Sequence, residues 1–145
     1  MMDDLIEEMK KTLADTFALY LKSHNFHWNV EGTMFLELHQ YFGELYEELH
    51  DAVDPIAEQI RVLNSYAPGS FTRFLELTSI EDSVAIPTTI DMIDSLIKDN
   101  QTVINTLTSA YNLAEREKEL GLANFLQDRI DVHKKHAWKL RSIRK

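Results

Sequence analysis

The sequence predicts an all-α protein in which four long helices pack as a bundle, with one long connection between the second and the third. Only four glycines and three prolines occur among 145 residues, so long stretches lack helix breakers. Apolar residues recur every three or four positions in four separate stretches, which is the period of a helix rather than of a strand. At 44% hydrophobic and 27% charged, the composition is that of an ordinary folded domain.

Helices A and B are predicted from two such stretches. Helix A runs from about Asp3 to Asn29, because seven residues share one face: Ile6, Met9, Leu13, Phe17, Tyr20, His24 and His27. The Glu31-Gly32-Thr33 stretch ends it. Helix B ends near Asn64, and its apolar stripe has eight members: Phe35, Leu38, Phe42, Leu45, Leu49, Ile56, Ile60 and Leu63.

The crossover spans residues 65–87, opens with a turn at 67–70 and has room for a short helix over 71–77. Thr88 or Thr89 is the predicted cap of helix C, whose stripe has six members: Ile93, Leu96, Val103, Leu107, Ala110 and Ala114. Helix D is marked by Leu122 or Ala123, Leu126, Ile130, His133, Ala137 and Leu140. Short A–B and C–D links around one long crossover are typical of a ferritin-like four-helix bundle. We expect a single domain over 1–145, with a short extra helix in the crossover.

Charge and composition exclude several classes of protein. The formal net charge of −9 opposes binding of DNA or anionic membranes through the bulk surface and favours attraction of cations. No stretch approaches the roughly 20 apolar residues of a membrane span, and the acidic N-terminus lacks a signal peptide core. Without cysteine, disulfides and thiolate chemistry are absent. We expect a cytoplasmic or nucleoid-associated protein.

Helix B also carries titratable residues on the face beside its apolar stripe. Asp54 and Glu58 are one turn apart, and two like charges at that spacing repel unless a cation lies between them. The alternative is that Asp54 caps a new helix with Pro55 at its first position, although Ala57 stands where a capping box needs Glu or Gln.

Glu47 and His50 form the one Glu-x-x-His motif of the chain. The larger di-iron bundles use two such motifs on different helices, so we do not expect a di-iron centre within one chain.

His39 and Asp54 are about 22 Å apart along one helix, which is too far for a single ion. They meet only if a second copy of helix B runs antiparallel to the first across a twofold axis. The pairing that brings His39 opposite the partner's Asp54 also brings Gly43 opposite the partner's His50. Two equal sites follow, each with four ligands from two chains: His27, His39, Asp54 and Glu58.

Four segments resemble, in order and over nearly the whole chain, the mini-ferritins of the Dps family (DNA-binding proteins from starved cells): HNFHWNVEGTMFLELHQYF, ELYEELHDAVDPIAEQI, GSFTRFLELTSIED and KKHAWKL. The resemblance implies a hollow dodecameric shell that oxidises iron(II), preferentially with hydrogen peroxide, and stores ferric mineral, which protects against oxidative damage. It implies ferroxidase sites at the twofold interfaces, with ligands His27, His39, Asp54 and Glu58. These are the residues that the antiparallel pairing brings together.

One position departs from the family pattern, because Gly43 stands where a carboxylate usually follows the helix B histidine by four residues. We interpret the partner's His50, together with Glu47, as the replacement ligand of the weaker iron site. The alternatives are an iron ion held loosely through water, or a His50 that is an ordinary surface residue. Two other functions stay open: a structural or nucleoid-associated cage with impaired ferroxidase activity, and a shell for zinc or manganese, since Zn²⁺ suits the same ligands.

Similarity to the family also implies an iron-entry pore at the start of helix D, lined by Glu119, Asn124 and Asp128, where Asn124 replaces a common Asp. His24 and Trp28 are interpreted as packing residues beside the site. His133 and His136 are interpreted as ordinary helix D residues.

Family members that condense DNA often do so with a flexible lysine-rich N-terminal tail. Here helix A begins almost at once with acidic residues, and only the short basic end of the chain, Arg141 to Lys145, remains as a candidate. We therefore predict weak or no DNA binding.

Overall fold

The computed structural model describes residues 1–145 and contains five helices and no strand: α1 (Met2–Asn29), α2 (Phe35–Val62), α3 (Phe71–Leu77), α4 (Thr89–Arg116) and α5 (Leu120–Arg144). The four long helices correspond to the predicted helices A to D, and α3 is the short helix in the crossover. The all-α bundle is therefore confirmed, with small shifts at two boundaries. None of the helices is long and apolar enough to cross a lipid bilayer.

The helix ends follow from local side chains. Gly32, between α1 and α2, has a φ of 114°, a conformation that a residue with a Cβ rarely adopts. The Thr88 hydroxyl accepts a hydrogen bond of 3.2 Å from the Asp91 amide and caps α4, as predicted. Ser70 caps α3 in the same way by accepting from the Arg73 amide.

Helix α1 lies at the centre of the arrangement and packs against α2, α3 and α4, while α5 packs against α4. All six predicted stripe residues of α4 are buried, as are six of the eight on α2. On α1 the predicted face lies at the edge of the core, because Phe17, Tyr20, His24 and His27 are only partly buried. The face of α1 that is buried in the core could not be recognised from the sequence because it carries four fully buried polar residues: Thr12, Asp15, Thr16 and Ser23.

Among these polar residues, the buried Asp15 is compensated by three hydrogen bonds. Its carboxylate accepts hydrogen bonds from the Thr106 hydroxyl (2.7 Å), the Thr78 hydroxyl (2.7 Å) and the Ser79 amide (2.8 Å). A buried carboxylate needs such donors to replace its lost hydration. Asp15 thereby fastens the end of the crossover and the middle of α4 to α1.

A second polar network joins α2, α4 and α5. The Glu48 carboxylate accepts hydrogen bonds from Arg129 and from His136, the latter at 2.7 Å. Arg129 also donates to His133 Nε2 at 3.0 Å, and His133 Nδ1 donates to the side-chain Oδ1 of Asn100 at 2.8 Å. Burial, followed by the charges of Arg129 and His136, holds the pKa of His133 well below its usual value. His133 and His136 are therefore buried parts of this network, rather than the ordinary helix residues expected from sequence.

Candidate metal centre

His27 and His39 are held by a reciprocal pair of hydrogen bonds. His27 Nδ1 lies 2.6 Å from the carbonyl oxygen of His39, and His39 Nδ1 lies 2.7 Å from the carbonyl oxygen of His27. The rings stack with their centroids 3.9 Å apart and their planes inclined by 16°. The end of α1 and the start of α2 therefore fix both imidazoles before any metal binds.

These hydrogen bonds also fix the tautomer of each ring. A carbonyl oxygen can only accept, so each Nδ1 must carry the proton that it donates. Each Nε2 of a neutral ring then keeps a lone pair, which is the form that ligates a divalent metal. Backbone carbonyls often orient metal-binding histidines in this manner. His27 and His39 thus fit the donor role that the sequence predicted for them.

Because Gly43 has no side chain, the His27 ring can lie close to the backbone of α2. A Cβ placed on Gly43 would lie 3.1 Å from both Cε1 and Nδ1 of His27, tighter than ordinary van der Waals contact. The His39 carbonyl, which accepts from His27, lies one helical turn before Gly43. The absent side chain therefore opens the route by which His27 reaches that carbonyl.

Asp54 and Glu58 lie on the exposed surface of α2, one turn apart. Pro55 is inside the helix, which runs without a break from Phe35 to Val62. The alternative interpretation of Asp54 as a helix cap is therefore wrong. Neither carboxylate has a hydrogen bond or an ion pair within the chain, so nothing there compensates their mutual repulsion.

Aromatic rings form a wall beside the histidine pair. The His24 ring stacks on Tyr46 with centroids 3.7 Å apart and lies 4.0 Å from the ring of Trp28. His24 Nδ1 is 3.1 Å from the Tyr20 hydroxyl. Partial burial, followed by the nearby His27 and His50, lowers the pKa of His24. The packing role predicted for His24 agrees with these contacts.

His50 and Glu47 are both exposed on α2. The His50 ring rests against Tyr20, with centroids 5.0 Å apart. Within one chain neither residue joins the histidine pair, and no three His, Asp or Glu side chains come together in a group that could hold a metal. One chain thus brings together His27 and His39 and leaves the carboxylates further along α2.

The predicted pore residues lie at the start of α5. Glu119 is the N-cap residue, and Asn124 and Asp128 are exposed one turn apart on the first part of the helix. Their side chains make no contact with the histidine pair.

An apolar surface adjoins the candidate centre. Trp28, Phe71 and Leu75 are 59%, 80% and 66% exposed and line a groove of about 450 Å³ between α1 and the crossover. Exposed apolar surface of this kind is typical of sites that contact another protein.

Sequence reasoning missed the reciprocal histidine bonds and the purpose of Gly43. The sequence placed His27 near the end of α1 and His39 near the start of α2, on either side of the short link between the two helices. It carried no information about the backbone carbonyls, which are the same for every residue type.

Comparison with known proteins agrees with this fold. The ferritin-like domain family matches residues 6–145. A low temperature-induced protein of Nostoc sp. is 34% identical over 141 residues, covering 96% of this chain and 79% of the relative. DNA protection during starvation protein 2 of Bacillus anthracis is 32% identical over 139 residues, covering 96% and 95% of the two chains.

Solved structures agree as well. A Dps protein from Bacillus brevis superimposes with a TM-score of 0.95 at 27% identity, covering 99% of this chain and 97% of the other. Dps from Staphylococcus aureus gives 0.93 at 27% identity, with coverage of 99% and 96%. The chain therefore belongs to the ferritin-like family. Within that family it is a member of the Dps group.

Proposed function

We propose that this chain assembles into a dodecameric cage that oxidises iron(II) with hydrogen peroxide and stores the ferric product inside. Each oxidation site is shared by two subunits across a twofold axis. One subunit supplies His27 and His39, and its partner supplies Asp54 and Glu58. The observation that carries this proposal is the reciprocal hydrogen bonding that leaves both Nε2 atoms free for metal.

The ligand types suit the substrate. Imidazole nitrogen and carboxylate oxygen both suit iron(II), and Zn²⁺ is an expected competitor because it binds the same ligands. Two iron(II) ions give one electron each to hydrogen peroxide, whose O–O bond breaks and, with two protons, yields two waters. The protein's part is to hold the ions, and the stacked imidazoles do so without rearrangement because their own hydrogen bonds already fix them.

The apolar groove supports the shared arrangement. Trp28 lies both in the wall beside the histidine pair and at the edge of the groove. A second copy that covers the groove would therefore also reach the incomplete site. Such a subunit contact is made twice across a twofold axis.

Stopped-flow absorbance of ferric species tests the function. The assembled protein is mixed with iron(II) and then with peroxide or with oxygen. We expect rapid oxidation with peroxide, and a fall of about tenfold or more in Asp54→Asn and Glu58→Gln. Asp131→Asn, an exposed carboxylate on α5, is the matched control and should behave as wild type. Equal rates in all four proteins would reject the proposal.

A second function has one observation in its favour. Gly43 supplies no ligand, so the chain also suits a structural or nucleoid-associated cage with impaired ferroxidase activity. In that case the same experiment would show cage assembly with slow oxidation by both oxidants.

Iron entry and location complete the proposal. We place the entry route at Glu119, Asn124 and Asp128, whose carboxylates would attract cations. A cytoplasmic location fits a chain that protects against iron and peroxide there.

We also propose that DNA binding is weak. Arg144 donates a hydrogen bond of 2.7 Å to Asp94, which offsets one of the few basic charges at the end of α5. Agarose retardation of supercoiled DNA at low salt is the measurement, and full retention at stoichiometric cage would contradict this proposal.

A further inference from the structure

Three of the six histidines are already committed inside the chain. His133 and His136 belong to the buried network around Glu48. His24 is bonded to Tyr20 and packed between aromatic rings. The histidines that remain are His27, His39 and His50, of which only the first two are assigned to the proposed site.

His50 is available in a way that the committed histidines are not. It is exposed, and neither ring nitrogen takes part in a hydrogen bond or an ion pair within the chain. Its one aromatic contact is the ring of Tyr20 at 5.0 Å, which holds the side chain against the α1–α2 face. Asp54 and Glu58 share this lack of partners on the same helix.

Gly43 leaves a gap that the chain cannot fill from its own residue 43. A carboxylate there would need a Cβ only 3.1 Å from two atoms of the His27 ring. His27 would have to retreat from the carbonyl oxygen of His39, which now accepts its proton at 2.6 Å. A further donor at this point must therefore come from another segment.

The antiparallel pairing supplies that segment. Seven residues are nearly two helical turns, so Gly43 and His50 lie on one face of α2. Any register that places the partner's Asp54 against His39 also places the partner's His50 against Gly43. In this pairing Gly43 of one subunit faces the partner's His50, whose ring nitrogens have no hydrogen-bond partner within its own chain.

We propose that the partner subunit's His50 ligates the metal beside Gly43, so that each shared site holds three imidazoles and two carboxylates. This inference rests on the shared site of the proposed function and names the ligand that makes this chain's site distinct.

The substitution changes what the site prefers to hold. An imidazole in place of a carboxylate removes one negative charge from the ligand set. A trivalent ion loses more stabilisation than a divalent ion when a nearby negative charge is removed. Nitrogen donors meanwhile suit Co²⁺, Zn²⁺ and iron(II). The site accordingly favours the ferrous substrate and releases the ferric product more readily.

Co²⁺ alone, added to the assembled cage, is the probe. Calorimetry reports the number and affinity of bound ions, and visible absorption reports the nitrogen and oxygen donors around Co²⁺. We expect His50→Ala to weaken binding of the Co²⁺ ion beside Gly43 about tenfold or more and to alter its absorption bands. Any Co²⁺ ion that His50 does not contact should bind with unchanged affinity. His50→Asp should restore binding with different bands, because oxygen replaces nitrogen. Titrations and spectra of His50→Ala that match wild type would overturn the proposal.

Two controls separate ligation from other effects. Asp51→Ala changes the next exposed residue of α2 and should leave Co²⁺ binding unchanged; an equal loss there would also overturn the proposal. Size-exclusion chromatography checks assembly, and His50→Gln replaces the alanine variant if the latter does not form cages.

The two proposals fail separately. A His50-dependent Co²⁺ site in a cage that does not oxidise iron(II) would reject the proposed function alone. Rapid peroxide-driven oxidation together with His50-independent Co²⁺ binding would reject this inference alone.

Discussion

At the scale of single residues, Gly43 carries the most specific prediction. Gly43→Ala should reduce the metal affinity about tenfold, because the new Cβ displaces the His27 ring from its hydrogen bond. Folding stability should change less. Alanine gains about 1 kcal/mol over glycine in a helix, whereas overpacking costs about 1–3 kcal/mol. The net loss should not exceed about 2 kcal/mol, measured by thermal unfolding beside a Co²⁺ titration.

Gly121→Ala is the matched control for Gly43→Ala. Gly121 also lies in a helix, and a Cβ placed there meets nothing within 4 Å. It should leave metal affinity unchanged and stabilise the fold by up to about 1 kcal/mol. Equal metal affinity in both variants would contradict the role given to Gly43.

Glu48 provides a pH-dependent prediction. Burial by itself opposes the charge of this carboxylate, but hydrogen bonds from His136 and Arg129 outweigh it and lower its pKa from 4.5 to about 2. A lowered pKa stabilises the fold above pH 4.5, and that contribution is lost as the pH falls towards 2. Glu48→Gln should therefore be less stable than wild type at pH 7 by about 1–3 kcal/mol, after allowance for partial exposure.

The difference in unfolding free energy between wild type and Glu48→Gln should narrow below pH 4.5, because Glu48 of the unfolded wild-type chain then takes up a proton that the folded state still excludes. Thermal unfolding at intervals from pH 7 to pH 3 measures it. Glu44→Gln, an exposed glutamate one turn earlier on α2, should track wild type throughout. A difference in stability between wild type and Glu48→Gln that stays constant down to pH 3 would show that the charge of Glu48 is not what stabilises the fold.

A sequence can propose metal ligands where a residue's chemistry is visible in its type, but it carries no signal where the backbone takes part. His27, His39, Asp54 and Glu58 stood out because metal ligands come from few residue types. Gly43 was interpreted only as a missing ligand, since nothing in the sequence shows that a ring occupies its space. The His27 and His39 carbonyls could not be foreseen at all.

At the scale of elements, the join between the crossover and the bundle depends on Asp15. Asp15→Ala removes the acceptor of three hydrogen bonds, and we expect a loss of about 2–4 kcal/mol. The Ser79 amide donates directly to Asp15, so its hydrogen exchange should become fast while the amides of α2 stay protected. Asp82→Ala, an exposed acid in the same crossover, is the control. Unchanged exchange at Ser79 would contradict this role.

Element positions were largely predictable because each long helix repeats its apolar period over several turns, and caps such as Thr88 mark their beginnings. The core face of α1 was harder to recognise. Its buried members include Thr16 and Asp15, and the carboxylate of Asp15 is compensated by hydrogen-bond donors on α4 and in the crossover. The partners of Asp15 are distant in sequence. The apolar period of α1 therefore pointed to a face at the edge of the core instead of the face that is buried.

At the scale of the whole molecule, the proposed sharing of each site between two subunits makes a prediction about mixed cages. A His39→Ala chain and an Asp54→Asn, Glu58→Gln chain should each be inactive alone. Co-expressed, half of the random dimers are mixed and each mixed dimer has one complete site, so about a quarter of the sites should recover. Stopped-flow iron oxidation measures the recovery. Sites built within single chains would show none.

The reciprocal bonds between His27 and His39 have a consequence for how such variants are interpreted. Each ring also joins the end of α1 to the start of α2, because its Nδ1 proton is donated to a backbone carbonyl of the opposite helix. Removing either histidine therefore removes a proposed metal ligand and, at the same time, a hydrogen bond between α1 and α2. Histidine variants should therefore lose folding stability as well as activity, whereas Asp54 and Glu58 make no hydrogen bond or ion pair within the chain, so their variants should keep the stability of the single chain.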